Sequence, residues 1–181
     1  RLFILSDSPP EKDVQWSEQG MIASYKFVQK FWILHKKILN KLHSKEKYEP
    51  SSFSEDIERF TNQMMNKMNI SLNKFSYNVI VANLHEAYNF FNKVSGEKTI
   101  NRNLQENYIK ILTLMLPIIP HIANECLNEV SDNTRYAWPK IDNKYLQSVT
   151  YNIVVQINGK KRSLIQADTN IEEDELMQKI K

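Results

Sequence analysis

From residue 17 to about residue 43, apolar side chains recur with the 3.6-residue period of an α-helix, and nothing else in the chain restricts its fold as much. At about 100° per residue, Val28, Phe31, Leu34, His35, Ile38, Leu39 and Leu42 share one broad arc, with Phe27 and Trp32 near its edges. Lys26, Lys30, Lys37, Lys41 and Lys45 gather on a neighbouring arc. A rod this long gains its stability by burying the apolar arc against other elements, so the chain must supply partners for it. Ser17 is placed to cap the N-terminus, and Glu18 suits the positive end of the helix dipole.

The rest of the chain supplies those partners. Residues 48–54 hold Pro50 and three serines and read as a loop, with Ser52 to Glu55 at capping-box spacing. Ile57, Phe60, Met64, Met65 and Met68 repeat at helical intervals. A third helical stretch is expected from about 72 to 94, carrying Phe75, Val79, Ala82, Leu84, Ala87 and Phe91, with Ser95 and Gly96 ending it. A fourth spans about 101 to 116 and stops at Pro117; a fifth opens at Pro120, where a missing N–H costs nothing. Period-two alternation over 149–157, then Asn158-Gly159, predicts a β-hairpin, and Thr169 to Glu172 predicts a short last helix.

These elements imply a mainly α fold: a bundle of about five helices followed by a small α+β unit with a β-hairpin. The expected organisation is an extended lead-in over 1–16, the bundle over 17–130, an irregular linker over 131–148 and the α+β unit over 149–181. Only three glycines argue against glycine-rich phosphate loops, and the single Cys126 excludes a disulfide framework or a multi-cysteine zinc site. No apolar run reaches the ~18–20 residues of a membrane span, so no membrane or metal partner is expected. The net charge of +3 permits a polyanionic partner without demanding one.

Among single residues, the lysine arc is the best physical candidate for phosphate contact, because cations about four apart present their charge along one side of a helix. The competing reading is a solvated face. Lys160 and Arg162, at alternate positions after the Asn-Gly pair, are expected on one face of the hairpin. Trp16, Trp32 and Trp138 are read as packing residues, His35 as a satisfied core histidine, His121 as a helix cap, and Cys126 as an inert core thiol. No carboxylate pair, histidine cluster or nucleophile arrangement suggests a catalytic site.

Several local signatures occur in an order that resembles the C-terminal part of bacterial leucyl-tRNA synthetases. They are Arg1-x-Phe3, Pro9-Pro10-Glu11, Trp16-Ser17, Gly20, Lys26-Phe27 with Phe31-Trp32, and Phe75-Ser-Tyr77-Asn78. Pro120-His-Ile-Ala-Asn-Glu125, Trp138-Pro139 and Gln156-Ile-Asn-Gly-Lys-Lys-Arg162 complete the set, of which the last is the most specific. The family pattern is departed from at Lys26, where arginine is usual, and at Asn124, Cys126 and Leu127.

The resemblance implies the anticodon-binding helical fold of class I synthetases, and a cytoplasmic parent enzyme that attaches leucine to its tRNA using ATP and magnesium. It implies that catalysis and editing lie in an upstream body, so that this stretch binds no cofactor and is inactive alone. It also implies leucine tRNA as the partner, docked through Lys26, Lys30, Lys37, Lys41, Lys160 and Arg162. The alternatives are the same domain of a valine, isoleucine or methionine enzyme, or a helical protein-interaction module.

Overall fold

The computed structural model describes residues 1–44, 53–96, 103–131, 136–146, 150–157 and 160–168; at residues 53 and 54, and in nearly all of the last two segments, only the backbone is described. It is mainly helical, with six α-helices among those residues: α1 (Leu2–Asp7), α2 (Glu18–Leu42), α3 (Phe53–Asn73), α4 (Tyr77–Gly96), α5 (Leu104–Met115) and α6 (Pro120–Val130). The chain divides into two compact units, Arg1–Asp142 and Asn143–Lys181.

In the first unit α2 is the helix that the periodicity demands. Phe27, Phe31, Leu34, His35, Ile38 and Leu39 are buried along one face. Ser17 caps it as expected, its Oγ accepting from the Gly20 amide at 3.1 Å. Helices α3, α4, α5 and α6 close over that face with Met64, Met65, Met68, Ile80, Leu84, Phe91, Tyr108, Leu112 and Leu127, all at most 2% exposed. Phe60 and Phe90 stack between α3 and α4 with ring centroids 3.8 Å apart. Pro120 occupies the first turn of α6 as anticipated.

Four departures from the sequence reading have physical causes. The lead-in is not wholly extended, because Leu2 and Phe3 are buried and hold residues 2–7 as a helix. Gly20 is the reason Phe3 fits: a β-carbon there would lie 2.6 Å from Phe3 Cε2.

The second expected helix continues to Asn73, and the third starts only at Tyr77. Between them Phe75 takes φ 53°, the one positive φ of a non-glycine residue among the described residues. The Ser76 amide donates to Ser71 O and the Phe75 amide to Leu72 O, a Schellman termination built on phenylalanine where glycine is usual. No glycine or proline marks this corner, so the pattern ran through it.

Within the expected linker, residues 136–142 are also more ordered than expected. Tyr136 Oη donates to Leu127 O at 3.1 Å, Trp138 Nε1 to Asn69 Oδ1 at 2.9 Å, and the Asp142 amide to Asn62 Oδ1 at 2.8 Å. Residues 136–142 therefore form a strap from α6 to α3 within the first unit. Lastly, His121 caps nothing: it is exposed, and the N-cap of α6 is Ile119 with no side-chain cap.

In the second unit a short 3₁₀ turn (Asn143–Tyr145) precedes β1 (Thr150–Ile157), which pairs antiparallel with β2 (Lys160–Asp168). The register slips between Val155 and Gln156: Val155 pairs with Ser163 and Gln156 with Lys161, so Arg162 has no opposite residue. The Asn158-Gly159 turn, the Ser52 capping box, Lys45 and the last expected helix lie outside the described residues.

Two stability outcomes follow. Gly20→Ala forces Phe3 from its buried site and should cost about 1–3 kcal/mol in urea unfolding. Phe75→Gly removes the left-handed strain and should raise the thermal midpoint, by about 2–4 °C if about 1 kcal/mol is recovered. A midpoint that falls would show that the exposed ring supports the corner.

Candidate nucleic-acid interface

After Glu18, α2 contains five lysines and no acidic residue through Leu42. The structure separates those lysines by what they meet. Lys36, which the wheel leaves off the lysine arc, points toward α6: its Nζ lies 2.6 Å from both carboxylate oxygens of Glu129 and 4.4 Å from the Trp32 ring centroid. Lys26, Lys30 and Lys37 are exposed and make no ion pair with any described residue. Lys41 is half-buried, and its carbonyl accepts the Ser44 hydroxyl at 2.9 Å. Among the described residues the lysine arc is thus three open cations and a fourth that is half-buried. Ile33, 68% exposed, lies among them.

Four glutamates of the neighbouring helices are engaged elsewhere, Glu129 with Lys36 among them. Glu86 on α4 holds Lys67 on α3 at 2.8 Å, Glu58 accepts from Asn107 at 2.9 Å and faces Lys110 at 3.5 Å, and Glu55 pairs with Arg59 at 2.8 Å. The α2 row is therefore a face of one sign, with no carboxylate of its own to neutralise it.

What holds this face in place is a buried polar cluster on its opposite side. His35 is fully buried between helices, with Nδ1 3.1 Å from Tyr108 Oη and Nε2 2.8 Å from Glu129 Oε2. The carboxylate can only accept, so Nε2–H donates to Glu129; burial favours the neutral ring, in which Nδ1 accepts from the Tyr108 hydroxyl. Burial pushes the His35 pKa below its ordinary value of 6.5, more than Glu129 restores. The Lys36 ammonium, followed by His35, holds the Glu129 carboxyl below its ordinary 4.5 against the opposing effect of burial. Cys126 is buried nearby and its thiol is pushed up to about 12, chiefly by burial, so it is a packing group rather than a nucleophile.

The remaining expected residues fall as follows. Trp32 packs beside His35, with ring centroids 5.4 Å apart. Trp138 is half exposed and tied to Asn69. Trp16 differs from expectation: it is 71% exposed, with only an edge contact to Phe3 at 5.6 Å. Lys160 sits opposite Ile157 at the start of β2, and Arg162 is the residue the register skips. The simple alternation that put both on one face is interrupted there. The sequence reading also passed over His85, whose ring lies 4.1 Å from that of Phe27 at the α2–α4 seam. Its interval to Asn89, Asn92 and Gly96 was the available signal.

Residues 54–177 match the family described as the anticodon-binding domain of tRNA ligase. The chain belongs to that family. Similar full-length proteins include the leucine–tRNA ligase of Petrotoga mobilis, 33% identical over 97% of this chain, and that of Orientia tsutsugamushi, 34% identical over 91%. The chain spans 23% and 19% of their lengths. In three dimensions this anticodon-binding domain superposes on a LeuRS–tRNA–LeuAMS ternary complex from Agrobacterium radiobacter K84 with a TM-score of 0.76. That match has 20% identity and covers 99% of this chain and 24% of the other. At that identity the likeness establishes the fold. Among the described residues no helix is long and apolar enough to cross a membrane.

The buried cluster makes stability depend on pH. Below 6.5 the unfolded chain takes up a proton that folded His35 resists, so stability falls as the pH drops through that value. Below 4.5 the unfolded form of Glu129 protonates while the folded form resists, and a second loss follows. Urea midpoints measured from pH 7.5 downward should show both steps. His35→Gln should flatten the upper step without abolishing it, because His85 is also held below 6.5, by burial and then by Lys30. An upper step unchanged by that substitution would remove His35 as its source.

Proposed function

We propose that this anticodon-binding domain is the tRNA-docking part of a leucine–tRNA ligase, whose whole chain joins leucine to its tRNA at the expense of ATP. The observation that carries the reading is the α2 face: Lys26, Lys30 and Lys37 stand open and unopposed on a rigid helix, in a fold used by tRNA ligases. The similarity to leucine enzymes across at least 90% of the chain supports leucine over the related amino acids. Phosphate neutralisation by lysine supplies much of the affinity for nucleic acid, and a preformed row of cations pays little to do so.

In this reading the domain orients a tRNA whose acceptor end reacts elsewhere. Misplacing reacting atoms by about 1 Å can cost about 100-fold in rate, so orientation is a catalytic contribution even without a catalytic group. ATP, magnesium and editing belong to an upstream body of the parent enzyme, and the 181-residue chain is inactive alone. Its second unit, with Lys160 and Arg162, is the start of a small α+β module that reaches the outer corner and variable arm of the tRNA. The setting is the cytoplasm, where tRNA is charged.

The test is a titration of the 181-residue chain with leucine tRNA at two salt concentrations. Affinity should fall steeply with salt, and Lys26→Glu/Lys30→Glu should weaken binding by about tenfold or more while lowering the salt slope by about two. Salt-independent binding, or an unaffected double variant, would instead mark α2 as a solvated face.

A further inference from the structure

We infer that the anion-docking face crosses the seam from α2 onto α4, where the side-chain amides of Asn89 and Asn92 receive the phosphodiester strand that the α2 lysines attract. The inference rests on the docking role of α2 proposed above and adds a second helix to it.

The seam is defined by contacts at both ends. Phe27 meets His85, with ring centroids 4.1 Å apart. Ten residues further along α2, Lys37 Nζ lies 4.0 Å from where a β-carbon of Gly96 would sit. The two helices therefore run side by side in the same direction, with Lys30 and Lys37 along one bank. On α4, His85, Asn89, Asn92 and Gly96 are spaced four, three and four apart, so they form one stripe along the other bank. All four are exposed.

The chemistry of the two banks is complementary to one ligand class. The Asn89 and Asn92 amides make no hydrogen bond to any described residue, so their N–H groups are available as donors. The one carboxylate of α4, Glu86, is held by Lys67 of α3 at 2.8 Å. The charge of Lys30 already reaches His85, one of the two causes that lower that imidazole's pKa. Lysines supply long-range attraction, and neutral amides supply directed hydrogen bonds without repelling the lysines when the site is empty.

Lys30 to Lys37 is seven residues, about 10 Å of helix, which matches about three successive phosphates of one strand. The one aromatic ring of the stripe, the His85 imidazole, is taken up against Phe27, with centroids 4.1 Å apart, and Asn89, Asn92 and Gly96 offer no ring for a base to stack on. The ligand is accordingly the sugar–phosphate backbone of the docked RNA, read without regard to base.

The experiment uses the 181-residue chain and a leucine tRNA transcript, with affinities measured at roughly 50 mM and 200 mM salt. Asn89→Ala/Asn92→Ala should weaken binding by about tenfold, the loss of two hydrogen bonds, and leave the salt slope unchanged because no charge is removed. Asn89→Asp/Asn92→Asp should weaken it further, most at the lower salt. Asn128→Asp, the same change of charge at an exposed position of α6, serves as the control off α4 and should act weakly. If both asparagine pairs bind like wild type while Lys26→Glu/Lys30→Glu binds poorly, α4 is not part of the face and the α2 docking role stands. If wild type fails to bind, or the lysine variant binds equally well, the docking role and its extension fall together.

Discussion

A single neutral imidazole, hydrogen-bonded on both nitrogens, sits where α2, α5 and α6 meet, and the surface of the molecule depends on it. His35 takes a proton bond from Tyr108 on α5 and gives one to Glu129 on α6. That carboxylate is shared with Lys36, the residue next to His35 on α2. The helix is thus held against rotation by directed bonds as well as by apolar packing, which alone tolerates sliding. Rotation of α2 by even one residue step would swing Lys26, Lys30 and Lys37 by about 100° and scatter the row.

The same bonds decide which lysines are left over. Carboxylates are used between helices: Glu129 for Lys36, Glu86 for Lys67, Glu58 for Lys110. Each pair joins different helices. A chain with a net charge of only +3 can therefore present a one-signed face, because α2 carries no acidic residue after Glu18 and these glutamates are committed elsewhere. Composition gave no hint of this. The charge is ordinary in sum and uneven in place.

What the sequence discloses and what it withholds divide along the range of the interactions. Helix α2, its Ser17 cap, Pro120 at the start of α6 and the buried states of His35 and Cys126 follow from periodicity and neighbours a few residues away. Features set by distant partners were missed. The six-residue α1 exists because Leu2 and Phe3 are buried against the bundle. The strap depends on Asn62 and Asn69, some seventy to eighty residues earlier. The α3–α4 corner lacks the glycine that would announce it. In the candidate interface, the lysine arc was legible, but the withdrawal of Lys36 and the half-burial of Lys41 required the positions of other helices.

The open row on α2 also strains the rod that carries it. Lys26 and Lys30 are like charges one turn apart, and such a pair weakens a helix by a few tenths of a kcal/mol. Dissolved ions relieve that self-repulsion and, in the docking role proposed above, compete for the row, so raising ionic strength tightens the scaffold and would loosen its hold on a polyanion. On that proposal, the conditions favouring the domain's own order and those favouring its occupancy pull in opposite directions.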